Sequence, residues 1–557
     1  MRAALRRSSN RPRVAATVLV ALALAAGLPP AGNGTLAQDD RPTLLVLVVV
    51  DQMRNDYLTR FDARFTDGFR RLVREGRYFE QTFYPYLNTV TCAGHATLGT
   101  GAWPKTHGII LNEWYRRELG RVRSCTADND TTPVPYNGIA EKEGHSAREL
   151  RVPTLAERLR ARWPQSRSVS LAVKPRSAVM MAGRSATAVT WVGASGWQSS
   201  TAFTSAPLPE VVRALGPHPF ERERTLVWER LLEPAAYTGT DEGLGERPPT
   251  GWTARFPHPL LSPEHPKELI ELWQTSPYAD AQLATVAASL IESYQLGRRD
   301  AVDFLAVSFP ATDKVGHDFG PESHELQDTL IRLDRTLGTL LTTLDRLVGR
   351  NRWALALSSD HGVAPVPEQR RAAGESGGRV ALATVGDAVN TALTAAGLGP
   401  GPHVARVEYT EVYLTEATRA KVTADAIAPA LAAIRALPGV RTAVWTPALT
   451  MLDATDPVVR AMQAGFVPGR SGDITLAPAP YWILVPGRNP AGGNATTHGS
   501  SNEYDQHVPL VFLGGPFPPG RVRDAATPAD AAPTLAATVG LTLDGIEGRP
   551  LAAATRR

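Results

Sequence analysis

Cysteine is almost absent: Cys92 and Cys125 are the only two in 557 residues. That excludes a disulfide-held scaffold and a cysteine-ligated zinc site, although in an oxidising compartment the two could pair. Neither sign of charge predominates. The 59 Lys and Arg face 55 Asp and Glu, a formal +4, so nothing points to a nucleic-acid partner or an anionic membrane surface. Long apolar runs are missing as well. The most apolar stretch, VAATVLVALALAAGL from Val14, is about 15 residues, short of the roughly 20 that a spanning helix needs. No internal repeat or heptad array occurs.

That run follows a basic start, MRAALRRSSNRPR, and leads to a small-x-small step at Thr35-Leu36-Ala37. The pattern predicts an export signal over 1–37, cut after Ala37, hence a periplasmic or secreted protein with no membrane anchor in its mature form. Arg6-Arg7 suggests the twin-arginine route, but the run after it matches that route poorly. Cleavage removes Arg2, Arg6, Arg7, Arg11 and Arg13 and no acid, leaving 54 basic against 55 acidic residues, a net −1. A monomer is expected.

What is present is α/β alternation. Apolar runs that read as buried strands begin at Thr43 (TLLVLVVVDQM), Ser168 (SVSLAV), Val302 (VDFLAVSF), Ala354 (ALALSSDHG) and His507 (HVPLVFLGG). Helices separate them. The clearest spans about Leu326 to Val348, with Leu326, Leu330, Leu333, Leu337, Leu340, Leu344 and Leu347 at three- and four-residue spacing, a core-facing stripe. The repetition predicts a mostly parallel central sheet flanked by helices on both faces, with ligands gathered at the carboxyl ends of its strands. One catalytic domain over 38–557 is expected. Residues 200–277, rich in Pro, Arg and Trp, read as an irregular surface excursion, and 365–495 as an inserted α+β cap holding VEYTEVYL, ADAIAPALAAIRAL and VRTAVWT.

Six Asp and His residues sit at strand ends: Asp51, Asp313, His317, Asp360, His361 and His498. With Thr91 they supply enough ligand for two divalent cations around one nucleophile, which is what phosphate-ester hydrolysis needs. Taken singly they are ambiguous. Asp51 ends a Val/Leu run, where a lone buried carboxylate would be costly, but it could instead cap a helix or pair with Arg54. Asp313 and His317 lie four apart, on one face of a helical turn. Asp360-His361 in SSDHG is sharper, two adjacent metal-type side chains delivered by a Leu/Ala strand into a Gly-marked turn. His498 has a rival in His507, and spacing does not choose between them.

Together these residues resemble a family. The segment TVTCAGHATLGTGAWPKTHGIILNEWY resembles the nucleophile region of the alkaline phosphatase superfamily, in its type I phosphodiesterase and nucleotide pyrophosphatase branch. It looks most like the phosphate-irrepressible periplasmic alkaline phosphatases, which use threonine as nucleophile. The likeness runs from Asp51 to the closing GRPL at Gly548 to Leu551.

The resemblance implies an alkaline phosphatase-like fold and makes Thr91, rather than nearby Thr89, the nucleophile. One Zn2+ would be bound by Asp51, Asp360, His361 and Thr91, and a second by Asp313, His317 and His498, the histidine of THGS. His95 and His107 would then be structural, hydrogen-bonded within their loop. Asn112 would bind the phosphoryl group. Lys174 and Arg176, flanking Pro175, match the Lys-x-Arg pair of the monoesterase branch, and two added cations suit a dianionic monoester better than a monoanionic diester. The implied function is hydrolysis of small phosphate monoesters through a phosphothreonine. The alternatives are a phosphodiesterase or nucleotide pyrophosphatase with the same metal site, and a non-catalytic metal-binding relative. A sulfatase is disfavoured because Cys92-Ala93-Gly94-His95-Ala96 has neither Pro nor Arg. A metal-dependent phosphoglycerate mutase is disfavoured by the export signal and by threonine at the nucleophile.

Overall fold

Successive side chains of the first strand face different cores. In the computed structural model, which describes residues 41–139, 141–216, 220, 223–261, 268–452 and 454–556, Leu44–Val50 (β1) is buried throughout. Leu44, Val46, Val48 and Val50 join one core, with Leu330, Leu333 and Leu337. Leu45, Leu47 and Val49 join a second, with Leu159, Phe512 and Leu535. A period of two inside a continuous apolar run is what a sheet covered on both faces requires. The expected export signal lies outside the described residues.

β1 sits near the middle of a ten-stranded sheet. The other strands are Arg77–Thr82 (β2), Pro133–Pro135 (β3), Ser168–Ala172 (β4), Ala188–Val192 (β5), Trp197–Ser200 (β6), Asp303–Phe309 (β7), Trp353–Ser358 (β8), Leu510–Gly514 (β9) and Gly520–Ala526 (β10). Their order is β10-β2-β9-β8-β1-β7-β4-β5-β6-β3. β8, β1, β7, β4 and β5 pair in parallel, and β2 pairs in parallel with β10. The sheet is mixed because β9 and β6 run against their neighbours. Parallel neighbours end on the same edge, so β8, β1, β7 and β4 deliver their following residues to one place.

Five helices matter for the site or its support: Thr91–Thr100 (α1), Pro175–Ala182 (α2), Pro277–Ser293 (α3), Ala311–Phe319 (α4) and His324–Leu347 (α5). α5 carries the leucine stripe, with Leu326, Leu330, Leu333, Leu337, Leu340 and Leu344 buried. Ser323 caps its start by accepting the Leu326 N–H.

The described part of 200–277 is irregular but not confined to the surface. Trp228, Trp252, Leu260 and Trp273 are buried in the core that holds α3 and α5. Proline limits regular pairing in this stretch, while its large aromatic rings still leave water.

Residues inside 365–495 form the cap. The strands Val404–Glu408, Glu411–Leu414, Ile474–Pro478 and Val440–Trp445 make an antiparallel sheet. Helices Leu382–Ala395 and Ala424–Arg435 close a separate core of Val389, Ile427, Ile434 and Leu476 over it. VEYTEVYL is a hairpin rather than one strand. It turns at Tyr409-Thr410, where Tyr409 takes a φ of 53°.

Candidate active site

All six expected metal-type side chains converge. Asp51 follows β1, Asp313 and His317 stand on α4 just after β7, and Asp360-His361 follow β8. His498 arrives from a loop. One ligand atom each from Asp313, His317 and His498 lies within 4.8 Å of the others, and the same holds for Asp51, Asp313 and His361. His361 Nε2 is 3.3 Å from Asp360 Oδ2 and 3.5 Å from Asp51 Oδ1. His317 Nε2 is 3.2 Å from Asp313 Oδ1, and His498 Nε2 is 3.7 Å from it. The rings of His361 and His498 stack at 3.4 Å.

Each of these histidines is oriented through its other nitrogen. Nδ1 of His317, His361 and His498 faces the carbonyl of Thr496 (2.9 Å), Gly362 (3.0 Å) and Thr89 (2.8 Å). A proton on Nδ1 leaves Nε2 as a lone pair turned toward the carboxylates, the arrangement that suits a metal ligand. Asp51 Oδ1 and Asp360 Oδ2 are buried and accept no hydrogen bond from the described residues. Such orphaned carboxylate oxygens are costly unless a cation is near. Nitrogen and oxygen donors in this number fit zinc-like divalent ions.

Lys174 follows β4 at the head of α2 and enters the same cluster. Its ammonium lies 2.7 Å from Asp51 Oδ2 and 2.5 Å from Asp313 Oδ2. Burial works against a charged lysine, but Asp313 and Asp51 outweigh it and raise its pKa. Of the two carboxylates, Asp51 is pushed well up by burial and by Asp313 and Asp360, more than Lys174 offsets. Burial also acts on Asp313, yet Lys174 and the His317 imidazole hold it well below the usual carboxylate range. Burial, with His361 and His317 alongside, keeps His498 neutral by lowering it well below the ordinary imidazole value. Arg176, in the first turn of α2, has a buried Nε that makes no hydrogen bond.

Thr91 is the first residue of α1, and its Oγ1 is 3.4 Å from His361 Nε2. Thr89 is engaged elsewhere: its hydroxyl donates to the Ser500 carbonyl (2.9 Å). Directly after Thr91, Cys92 forms a disulfide with Cys125. Asn112 lies between those cysteines in sequence; its Oδ1 accepts the Cys92 N–H (2.7 Å), and its carbonyl accepts the Cys125 N–H (2.9 Å). The disulfide and Asn112 therefore hold the start of α1 together. Gly94 is needed there, because a Cβ would meet the Asp360 carbonyl at 2.2 Å.

His507, the rival of His498, is remote in role: its Nε2 faces the Glu80 carbonyl (2.8 Å) and its ring stacks on Phe83 at 4.2 Å. His107 contacts the Thr97 hydroxyl (3.2 Å) and the Ile109 N–H (3.1 Å). His95 departs from expectation. It lies on a helix, not a loop, and its Nδ1 is 3.1 Å from Asp360 Oδ2, with the Thr91 carbonyl (2.9 Å) and Ser308 Oγ (2.8 Å) as partners. Being four residues after Thr91 on α1 turns its ring back toward that residue.

Two contributors were not anticipated. Gln52, at a φ of 67°, donates its backbone N–H to Asp360 Oδ1 (3.1 Å) and its side-chain amide to Asp313 Oδ1 (2.9 Å). A Cβ on Gly316 would meet Gln52 Oε1 at 1.9 Å, so the glycine in ATDKVGHDF makes room for it. Tyr409 of the cap donates its hydroxyl to the His498 carbonyl. Polar residues after β1 and in the cap hairpin carry no sequence pattern that marks them as neighbours of the cluster.

A profile described as "Type I phosphodiesterase / nucleotide pyrophosphatase" matches residues 45–503. A protein named calcium-transporting ATPase, from Myroides odoratus, is 32% identical over 89% of this chain and 91% of its own. Alkaline phosphatase PhoV of Synechococcus elongatus is 32% identical over 89% and 90%. The crystal structure of wild-type alkaline phosphatase PafA, 28% identical, superposes with a TM-score of 0.84 over 93% of this chain and 99% of that one. The same phosphatase is also solved as a variant changed at one Thr, one Asn, one Lys and one Arg.

Proposed function

This chain belongs to the type I phosphodiesterase / nucleotide pyrophosphatase family of the alkaline phosphatase superfamily, and from that premise we propose that it hydrolyses phosphate monoesters through Thr91. The observation that carries the reading is the junction of Thr91, six Asp and His side chains and Lys174 on one sheet edge. Thr91, Asn112, Lys174 and Arg176 are spaced along this chain as the Thr, Asn, Lys and Arg changed in the PafA variant are spaced in theirs. That spacing supports giving these four the work of attack and phosphoryl binding.

Two zinc ions would be held by Asp51, Asp360, His361 and Thr91, and by Asp313, His317 and His498. When bound, such cations lower the pKa of a hydroxyl and offset charge on a departing oxygen. The protein's own groups do the rest. Thr91 Oγ attacks phosphorus and gives up its proton, the P–O bond to the leaving group breaks, and that oxygen leaves as the alcohol. The phosphothreonine is then cleaved by water, returning the hydroxyl of Thr91 and releasing inorganic phosphate. Thr91 opens α1, whose N-terminal dipole favours the negative phosphoryl oxygens. With Oδ1 held by the Cys92 N–H, Asn112 keeps its Nδ2 group as a donor. The unpartnered Arg176 Nε and the Lys174 ammonium add positive charge for a dianion. His95 Nδ1 stands 3.1 Å from Asp360 Oδ2, and Gln52 bridges Asp360 and Asp313.

A phosphodiesterase sharing the same metal site is the second reading, favoured by the family description and opposed by Lys174 and Arg176. The ATPase in the name of the Myroides relative is also phosphoryl chemistry. No helix among the described residues is long and apolar enough to cross a membrane. A catalytic domain over 38–557, secreted or periplasmic after removal of 1–37, completes the proposal. The test is kcat/KM of the zinc-loaded mature protein on p-nitrophenyl phosphate and bis-p-nitrophenyl phosphate. We expect a large preference for the monoester; a preference for the diester would place the chain with the phosphodiesterases, and no turnover of either would make it a silent relative.

A further inference from the structure

Beside the cluster, a cavity of about 310 Å3 opens between the catalytic body and the cap, a size within the range of small-molecule sites. His317, His498 and Asn112 line it, so whatever is attached to a phosphoryl group bound by Asn112 has this space next to it. Its walls are largely apolar: Val90 and Leu111 from the body, Ile483, Leu484 and Val485 from the cap. Leu111 and Leu484 are nearly fully buried, which fixes their places. None of the residues lining it is Lys or Arg. The charged side chains it does have besides the histidines are two carboxylates, Glu113 and Glu408. Glu408 is neutralised by Arg406 at 2.7 Å. Glu113 is exposed, and no ion pair to it occurs among the described residues.

Building on the phosphomonoesterase reading above, we infer that this cavity is a leaving-group site selecting phosphate monoesters of uncharged, apolar or aromatic alcohols, and that Glu113 discriminates against leaving groups that carry negative charge. An apolar wall gains by covering an aromatic ring, whereas an anionic leaving group entering a cleft with no basic residue finds only carboxylates. Tyr409, also on the lining, offers an aromatic face from the cap.

The test compares substrates whose alcohols differ little in acidity, so that leaving-group chemistry is held constant. For the zinc-loaded protein, kcat/KM on 2-phenylethyl phosphate should exceed that on ethyl phosphate by about tenfold or more, a differential of the size apolar pockets achieve. The monoester of glycolic acid should fall below ethyl phosphate by about threefold or more, and Glu113→Lys should reverse that order. Calorimetry on the same protein should show 2-phenylethylphosphonate, which is not hydrolysed, binding about tenfold tighter than ethylphosphonate. Equal rates and equal affinities for the phenyl and ethyl compounds would overturn the inference while leaving the phosphatase reading intact. Failure to hydrolyse any of these esters, or p-nitrophenyl phosphate, would overturn both.

Discussion

The strand-end cluster and the cap hairpin meet at the same site by opposite means. The cluster is delivered by fully buried strands: β1, β7 and β8 are covered along their whole length, and Asp51, Asp360 and His361 are inaccessible to solvent. Among the described residues the cap adds no side chain to the metal-type groups. Its hairpin touches the groups that hold the ligands: Tyr409 donates to the His498 carbonyl, Thr410 Oγ1 donates to Asn88 Oδ1 (2.7 Å), and Asn88 Nδ2 reaches Glu411 Oε1 (3.5 Å). Asn88 adjoins Thr89, whose carbonyl faces His498 Nδ1. The parallel core places the strand-end carboxylates and imidazoles, while a separately cored insertion contacts the His498 loop and Asn88. Changes in the first region should therefore remove chemistry, and changes in the second should tune it.

The sharpest break comes from Thr91→Ala. Loss of the nucleophile should lower kcat/KM on p-nitrophenyl phosphate by about a thousandfold or more, with unchanged circular dichroism, because the hydroxyl holds no structural bond beyond its 3.4 Å contact with His361. Retained activity would move the nucleophile elsewhere. Next in size is the pair Lys174→Ala with Arg176→Ala. Removing two cations should cost monoester turnover about a hundredfold and diester turnover about tenfold or less. Equal losses would mean that they hold the metal-type carboxylates rather than the phosphoryl group, a possibility given substance by the Lys174 contacts with Asp51 and Asp313.

The first region was legible in the sequence and the second largely was not, for a physical reason. Strands buried on both faces must be apolar, so a carboxylate or imidazole directly after one stands out, as Asp51 and Asp360-His361 do after β1 and β8. Period-four spacing marked Asp313 and His317. The roles of Thr91, Asn112 and Arg176 and the assignment of His498 over His507 came from resemblance, since each sits in a loop or helix start whose pattern has other uses. Tyr409 and Gln52 left no mark because their work depends on positive-φ turns and contacts 89 and 308 residues away along the chain. The hairpin inside VEYTEVYL was hidden because its two-residue turn, Tyr409-Thr410, contains neither Gly, Asn nor Asp to mark it. Tryptophans in a Pro-rich stretch looked like surface, yet Trp228 and Trp252 fill the core because their area outweighs the irregular backbone around them.

Tyr409→Phe sharpens the comparison at intermediate size. It keeps the ring and removes only the bond to the His498 carbonyl, so kcat/KM should fall about three- to tenfold, with weaker zinc retention on dialysis against a chelator. If zinc retention and rate are both unchanged, the cap does not orient the cluster.

The smallest effect concerns stability. Glu411 is buried directly after the hairpin's turn, and burial pushes its carboxyl up to about 7 despite bonds from the Gly472 N–H (2.7 Å), Thr475 Oγ1 (2.9 Å) and Asn88, and despite Arg117 nearby. A carboxyl raised in the folded state holds its proton there at pH values where the unfolded chain has already released it. Its contribution is therefore complete below the ordinary carboxylate range and is lost as pH rises through about 7. Between those limits stability should fall by up to about 1.4 kcal/mol per pH unit from this group. Asp318 and Asp505, likewise raised to about 7, tilt the whole profile in the same sense, so the informative quantity is the difference between wild type and Glu411→Gln. Melts at pH 5, 6, 7 and 8 should show the variant less sensitive to pH over the lower part of that range, with the two curves parallel above it. Curves parallel throughout would mean that Glu411 is ionised in the folded protein, and that its three donors and Arg117, rather than a retained proton, stabilise the hairpin against the strand-end cluster.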